Sequence, residues 1–142
     1  MNWIAFLIGG WIVFGLELGL RDAIELGEVG ASPSFVIVYL VVVSLMAARH
    51  SALWGALLLG LMLDLTQSHP TPDGVGSVVT IGPYALGCLL ASYAVVTVRA
   101  LVIKGNWLTT PMLCLVAASL MHIVVVAIFT ARSWYDPLVE FQ

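Results

Sequence analysis

Residues 112–131 read MLCLVAASLMHIVVVAIFTA, twenty residues without a lysine, arginine, aspartate or glutamate. The hydrocarbon core of a bilayer is about 30 Å thick, and a helix of about 20 apolar residues crosses it. Four further apolar runs precede this one, and flanking residues must complete the second and third, which are short. The predicted membrane spans are 3–20, 34–48, 51–66, 77–98 and 110–131.

The composition of the whole chain agrees with this interpretation. Hydrophobic residues make up 61% of the 142 residues and charged residues only 9%, and the mean hydropathy is +1.08. Such a chain has too little polar surface to coat a water-soluble globule. In lipid only helices and closed barrels satisfy their backbone groups, and continuous rather than alternating hydrophobicity favours helices. We therefore predict one domain, an all-α polytopic bundle of about five transmembrane helices.

The sequence argues against several classes of function. The segments between the spans are too short for a soluble catalytic domain, and the sequence has neither a nucleophile motif nor a glycine loop that could bind phosphate. We expect no enzyme activity, no catalytic residue and no cofactor. Five scattered basic residues and a net charge of −3 argue against nucleic-acid binding. The first run lacks the basic start and the cleavage pattern of a signal peptide, so we keep it as a span.

The distribution of basic residues predicts an orientation. A cytoplasmic amino terminus places Arg49, Arg99 and Lys104 inside and leaves Arg21 and Arg132 outside. Because cytoplasmic loops carry an excess of basic residues, this arrangement is favoured. The three inner cations are candidates for a cytoplasmic contact, although anionic lipid is an alternative partner for them.

Ionisable residues inside the predicted spans are candidate functional groups, because they are costly in hydrocarbon. Glu17, Asp64 and His122 each lie roughly 20 Å from the cytoplasmic start of their helix, at about 1.5 Å per residue. Tyr84 enters the same depth from the opposite side. We predict an intramembrane polar layer formed by these four residues.

Each member of this layer has an alternative role. Glu17 could pair with Arg21, four residues later. Asp64 could be a carboxylate near the interface that faces the following loop, and His122 could be a hydrogen-bonded packing residue. The set has no pair of ligands at close helical spacing, so we expect no metal site.

Small residues predict where two helices pack. Gly55 and Gly60 precede Asp64 in the third span, and small residues let helix backbones approach closely. The fourth span carries a second face of small and hydrogen-bonding residues, and we expect the two faces to meet. Pro83 lies within this fourth span and predicts either a kink or a later start of the helix.

The stretch LLLGLMLDLT at 57–66 resembles the signature of MreD, the bacterial rod shape-determining membrane protein. Gly60, Asp64 and Leu65 match the Gly-x-x-x-Asp-Leu core of that family, and Gly74 and Gly76 follow in order. The similarity covers most of the chain loosely and is specific only in the third span. The chain departs from the family in lacking a glycine soon after the aspartate and a further carboxyl-terminal span.

The resemblance implies a non-enzymatic organiser of lateral wall synthesis in the bacterial inner membrane. Proteins like MreD act with MreC, RodA, a class B penicillin-binding protein and, at the cytoplasmic face, the MreB filament. The MreD fold is also similar to the membrane substrate-binding component of energy-coupling-factor transporters. A vitamin-binding subunit of a transporter is therefore the alternative function, with its pocket at the polar layer. In an organiser we expect Asp64→Asn to be mild if Asp64 only hydrogen-bonds a neighbouring helix, and we expect Gly60→Leu to disrupt packing.

Overall fold

The computed structural model describes residues 2–24, 34–66, 68–70, 77–79, 81–99 and 108–134. These residues form five helices: α1 (Trp3–Ile24), α2 (Phe35–Met46), α3 (Arg49–Thr66), α4 (Pro83–Val98) and α5 (Thr109–Ser133). Two three-residue strands, β1 (Ser68–Pro70) and β2 (Ser77–Val79), pair antiparallel between α3 and α4, with Ser68 opposite Val79. The predicted helical class is confirmed. The short strand pair was not predicted.

Two of the helices, α1 and α5, are long and apolar enough to cross a membrane. Only 17% of the apolar window in α1 and 28% of that in α5 is buried against the rest of the chain. A core helix of a water-soluble protein would be mostly buried. The outer surfaces of these helices instead present large apolar side chains, including Ile4, Trp11, Leu115 and Ile123.

The core lies around α2 and α4. Helix α4 packs most extensively against α3 and α5 and also contacts α2, whereas α2 contacts all four other helices. Side chains from every helix meet in one apolar cluster, which includes Phe6, Phe14, Val36, Leu40, Leu59, Leu63, Cys88, Val95, Ala117 and Met121. The described parts of all five helices therefore contribute to one continuous apolar core.

Helices α2 and α4 run in the same direction. The Oγ atoms of Ser44 and Ser92 are 2.7 Å apart, and further along both helices Arg99 reaches the carbonyl oxygen of Ala47. Ser44 stands nine residues after the first residue of α2, and Ser92 nine residues after the first residue of α4. The two helices therefore begin at the same level of the bundle.

Helix α3 runs antiparallel to α4 and so defines two ends of the bundle. Its first turn packs near the end of α4, where Ala52 and Val96 lie in one small cluster with Ala47. Its last turn lies beside the start of α4, where Asp64 meets Tyr84 and Ala85. We call these the Arg99 end and the Asp64 end, after the charged residue that contacts a neighbouring helix at each.

The fourth helix begins at Pro83, later than the predicted start at residue 77. Proline has no N–H and its fixed φ suits the first turn of a helix, whereas it would disrupt a helix interior. Gly82 precedes Pro83 and has a φ of 128°, a conformation that glycine adopts far more readily than other residues. This φ is not helical, so the helix cannot extend back beyond Pro83. Of the two outcomes predicted for Pro83, a later start is therefore the one that occurs.

Candidate functional site

The carboxylate of Asp64 closes the amino-terminal end of α4. Its Oδ2 atom accepts hydrogen bonds from the backbone N–H groups of Gly82 (2.9 Å) and Ala85 (3.1 Å), and its Oδ1 atom accepts one from Tyr84 (2.9 Å). The side chain of Asp64 is completely buried. The first N–H groups of a helix have no partner within the helix, and the helix dipole is positive there. The carboxylate of Asp64 on α3 thus supplies the hydrogen-bond acceptors and the negative charge that the start of α4 lacks.

Gly60 brings α3 close enough for this arrangement. A Cβ atom at Gly60 would lie 2.5 Å from the Cα atom of Ala85 and 2.8 Å from the carbonyl oxygen of Tyr84. Both neighbours are backbone atoms, so no side-chain rotation relieves the clash. Gly60 and Asp64 stand one helical turn apart on the same face of α3. Together they form a joint with α4, which we call the Gly60–Asp64 joint.

Glu17 closes a second helix start in the same way. Its Oε2 atom accepts hydrogen bonds from the backbone N–H groups of Phe35 at 2.6 Å and Val36 at 3.3 Å. Phe35 is the first residue of α2, which begins at the same level as α4. The carboxylates of Glu17 and Asp64 therefore lie at one level, each at the positive end of a neighbouring helix. The alternative partner Arg21 has no described side chain.

The opposite end of α2 is closed by a cation. Arg99, just after α4, donates from Nη1 to the carbonyl oxygens of Ala47 (2.6 Å) and Ser44 (3.4 Å). Carbonyl groups at the end of a helix lack partners and carry partial negative charge, so a guanidinium is favourable there. The guanidinium of Arg49 lies over the ring of Tyr93, 5.2 Å from its centroid. Two predicted cytoplasmic cations thus lie at the Arg99 end, whereas Lys104 falls outside the described residues.

The four residues of the predicted polar layer do not form a cluster. Glu17 and Asp64 share a level but bind different helices, and Tyr84 contributes its backbone N–H to Asp64. His122 lies on the exposed surface of α5, where its Nδ1 atom is 2.9 Å from the carbonyl oxygen of its own helix at Ala118. The neighbouring Met121, rather than His122, faces inward and contacts Gly87 and Cys88.

The predicted packing glycines have different partners. Gly60 contacts α4 as expected, but Gly55 lies against Phe6 of α1 and Val43 of α2. The small residues of α4 are likewise divided between neighbours, since Gly87 packs on α5 and Ser92 on α2. The predicted faces of α3 and α4 therefore meet at Gly60 and Asp64, whereas Gly55, Gly87 and Ser92 contact other helices.

Three hydrogen-bonding contacts between helices were not predicted from the sequence. Ser44 hydrogen-bonds Ser92 in the core, Arg99 closes α2, and Gly82 supplies an N–H to Asp64. A lone serine within the run VVVSL of α2 was a signal for the first of these, because a buried hydroxyl needs a partner. Nothing local marked Arg99 as a residue that binds another helix.

The polar side chains described above form hydrogen bonds that hold the helices together. Among the side chains that the structure describes, every buried nitrogen or oxygen has a hydrogen-bond partner. Within residues 2–24, 34–66, 68–70, 77–79, 81–99 and 108–134, no three His, Cys, Asp or Glu side chains are grouped so that they could hold a metal ion.

Comparison with known proteins gives no relative for this arrangement. No family model matches the chain, and no curated protein and no solved structure matches it.

Proposed function

We propose that this chain is a non-enzymatic, MreD-like component of the bacterial cell-elongation machinery. It acts in the inner membrane and organises partner proteins of lateral wall synthesis through contacts between transmembrane helices. In this proposal all five helices belong to a multi-pass bundle with a cytoplasmic amino terminus. The Arg99 end then lies at the cytoplasmic face and the Asp64 end in the outer half of the membrane.

The observation that carries the proposal is the Gly60–Asp64 joint. Two of the residues that carry the resemblance to MreD, Gly60 and Asp64, meet at the start of α4. Gly60 packs against Tyr84 and Ala85, and Asp64 accepts hydrogen bonds from both of these residues and from Gly82. Gly60 sets the distance between the helices, and Asp64 accepts hydrogen bonds from N–H groups that have no partner within α4. A shared structural task explains why a glycine and an aspartate occur four residues apart in an otherwise apolar helix.

The same joint weakens the argument for a vitamin-binding subunit. That alternative depended on buried carboxylates that would be too costly unless they bound a ligand. Both oxygens of Asp64, and Oε2 of Glu17, already accept backbone hydrogen bonds. These carboxylates therefore have a structural use without a ligand, and no contact in the described bundle favours the transporter function.

The outer surface supports action through helix contacts. Side chains such as Ile8 and Trp11 on α1 and Met112 and Leu115 on α5 are more than half exposed. In a membrane this surface meets lipid or the helices of other proteins. Small-residue packing and hydrogen bonds, rather than the hydrophobic effect, then select the partners.

The expected partners are MreC, RodA and a class B penicillin-binding protein, with MreB at the cytoplasmic face. Gentle detergent extraction of a tagged chain from its native membranes, followed by mass spectrometry, tests this. An untagged strain and a strain with an unrelated tagged polytopic protein serve as controls. Enrichment of MreC, RodA or the penicillin-binding protein over both controls is the expected result.

Two other results would contradict the proposal. Recovery of paired ATPase subunits with their transmembrane coupler, or of a stoichiometric small molecule, would favour the transporter. Recovery of none of the elongation proteins, under conditions where they are recovered with one another, would remove the chain from that machinery.

A further inference from the structure

The guanidinium of Arg49 is turned along the side of the bundle rather than away from its end. Ala52 of α3 and Val96 of α4 lie in one small cluster. Because the two helices are antiparallel, Arg49 stands at about the level of Arg99, at the end of α4. Its guanidinium nevertheless lies 5.2 Å from the centroid of the Tyr93 ring. Tyr93 precedes Arg99 by six residues, or roughly 9 Å of helix, so the charge lies nearer the middle of the bundle than the backbone of Arg49 does.

Two large aromatic side chains mark the level that this guanidinium occupies. Trp54 follows Ala52 by two residues and Tyr93 precedes Val96 by three, so both stand at nearly the same height in the antiparallel pair. Trp54 is 50% exposed and Tyr93 46%. Tryptophan and tyrosine are enriched where the hydrocarbon of a bilayer meets the headgroups. In a membrane, the charge of Arg49 therefore lies at headgroup level.

Exposed apolar side chains continue from Tyr93 toward the Asp64 end. Leu90 and Leu86 precede Tyr93 by three and seven residues, on the same face of α4, and each is 49% exposed. This face of α4 thus carries a cation over Tyr93 and apolar side chains along roughly the next 10 Å of helix. A molecule with an anionic head and an apolar chain is complementary to such a surface.

The charge of Arg49 is not neutralised within the described part of the chain. The contact that the structure gives its guanidinium there is with the ring of Tyr93. A ring face attracts a cation but accepts no strong hydrogen bond from the five N–H groups of a guanidinium. The carboxylates of Glu17 and Asp64 lie at the opposite end of the bundle and are bonded to helix starts there.

Arg99, at the same end of the bundle, uses its charge within the protein. Its Nη1 atom donates to the carbonyl oxygens of Ala47 at 2.6 Å and of Ser44 at 3.4 Å. These bonds direct the guanidinium of Arg99 into the bundle, whereas the guanidinium of Arg49 is on the outer surface. Arg49 is therefore the residue at this end that is placed to bind an anion from outside the chain.

A lipid phosphate matches both the charge and the position of this group. A guanidinium stays charged throughout the physiological pH range and binds phosphate oxygens through paired N–H donors. Lipid phosphates lie in the headgroup layer, beside apolar chains that extend toward the middle of the membrane. We propose that the guanidinium of Arg49, lying over Tyr93, binds the phosphate of an anionic phospholipid, with an acyl chain along Leu90 and Leu86.

Native mass spectrometry of the detergent-purified chain tests this, with phosphatidylglycerol and phosphatidylcholine of the same acyl chains titrated in turn. One phosphatidylglycerol should bind more tightly than any phosphatidylcholine. Arg49→Gln should weaken its binding roughly fivefold, the factor that one arginine contributes beside an anionic lipid surface. Arg132→Gln removes the same charge from an exposed arginine in the last turn of α5 and should stay within about twofold of the wild type.

Further measurements identify the source of the phosphate and check the fold. Glycerol 3-phosphate carries the headgroup chemistry without acyl chains, so at the same concentration it should not displace the bound lipid. Because Arg49 is exposed, Arg49→Gln should fold, and its melting temperature in lipid-free detergent checks this. If it does not fold, Arg49→Lys keeps the charge but loses the paired donors, and should bind phosphatidylglycerol about twofold to threefold more weakly.

Several results would overturn the inference. These are equal binding of the two lipids, equal losses in Arg49→Gln and Arg132→Gln, or displacement of the lipid by glycerol 3-phosphate, which would indicate a site for a free anion. A dimer mass that Arg49→Gln abolishes would instead identify a second copy as the partner.

This inference rests on the proposed function only in requiring that the bundle lie in a membrane. Selective binding of phosphatidylglycerol without recovery of the elongation proteins would support the lipid site while contradicting the proposed function. Recovery of those proteins with no preference between the two lipids would do the reverse, so the two can fail separately.

Discussion

The backbone N–H of Gly82, just before α4, donates a hydrogen bond of 2.9 Å to Oδ2 of Asp64, which lies in the last turn of α3. Gly82 adopts a φ of 128°, and Pro83 follows as the first residue of α4. A carboxylate, a glycine turn and a proline start therefore belong to one structural unit. This unit explains how an apolar bundle accommodates a completely buried aspartate.

Substitution of Gly60 tests the close approach of α3 and α4. Gly60→Ala should destabilise the fold by about 1–3 kcal/mol, because its Cβ would lie 2.5 Å from the backbone of Ala85. Gly15→Ala is the matched control, since no heavy atom lies within 4 Å of its added Cβ. That change should be neutral or stabilise α1 by up to about 1 kcal/mol. Thermal unfolding of the purified protein in detergent measures both, and equal melting temperatures would refute the close approach.

Replacement of the carboxylates by amides should have unequal effects. Asp64 uses both oxygens, so Asp64→Asn sets an NH₂ group against a backbone N–H and should cost about 1–3 kcal/mol. Glu17 uses only Oε2, and the single carbonyl oxygen of Glu17→Gln retains both bonds, with a loss below about 1 kcal/mol. The geometry thus revises the mild effect expected for Asp64→Asn. Chemical denaturation compares the pair, and a larger loss in Glu17→Gln would contradict the assignment.

The Arg99 end should depend on Arg99 more than on Arg49. Arg99→Met leaves the carbonyl oxygen of Ala47 without its 2.6 Å donor and should cost about 1–3 kcal/mol. Arg49→Met removes a cation–π contact with Tyr93, worth about 0.5–1 kcal/mol at an exposed site. Both variants lose one positive charge, so a lower melting temperature for Arg99→Met measures the contribution of the hydrogen bonds between Arg99 and the end of α2. Indistinguishable variants would argue against it.

The proposed orientation predicts which residues a membrane-impermeant maleimide reaches. A cysteine at His50, exposed at the Arg99 end, should be labelled only after the cells are opened. A cysteine at Ile81, which is 62% exposed at the Asp64 end, should be labelled in intact spheroplasts. The wild-type chain, with Cys88 buried and Cys114 half-buried, gives the background. The reverse labelling pattern would show that the bundle has the opposite orientation in the membrane.

Much of the fold could be predicted from hydrophobicity alone. Continuous apolar runs gave five helices close to their observed positions, and the later start at Pro83 was one of two outcomes that proline chemistry allows. Gly60 could be recognised as a contact residue because it stands one helical turn before Asp64 on the same face of α3. The strand pair could not be predicted, since three-residue strands carry no periodicity.

The partners of the polar residues could not be predicted, for a geometric reason. Depth along a helix follows from counting residues, and the count predicts one level for Glu17 and Asp64. Which way a side chain points around the helix depends on the packing of neighbours, which the count does not contain. His122 therefore shares a span with Met121, but only Met121 faces the core.

Depletion of the chain from its native bacterium, followed by microscopy of cell shape and of newly inserted wall material, tests the central claim most directly. The proposal predicts that cells lose their elongated shape and that wall insertion along the cell length becomes dispersed. Gly15→Ala should restore the shape, whereas Gly60→Leu, which prevents the Gly60–Asp64 joint, should not. Cells that keep their shape on depletion but lose uptake of a nutrient would contradict the account.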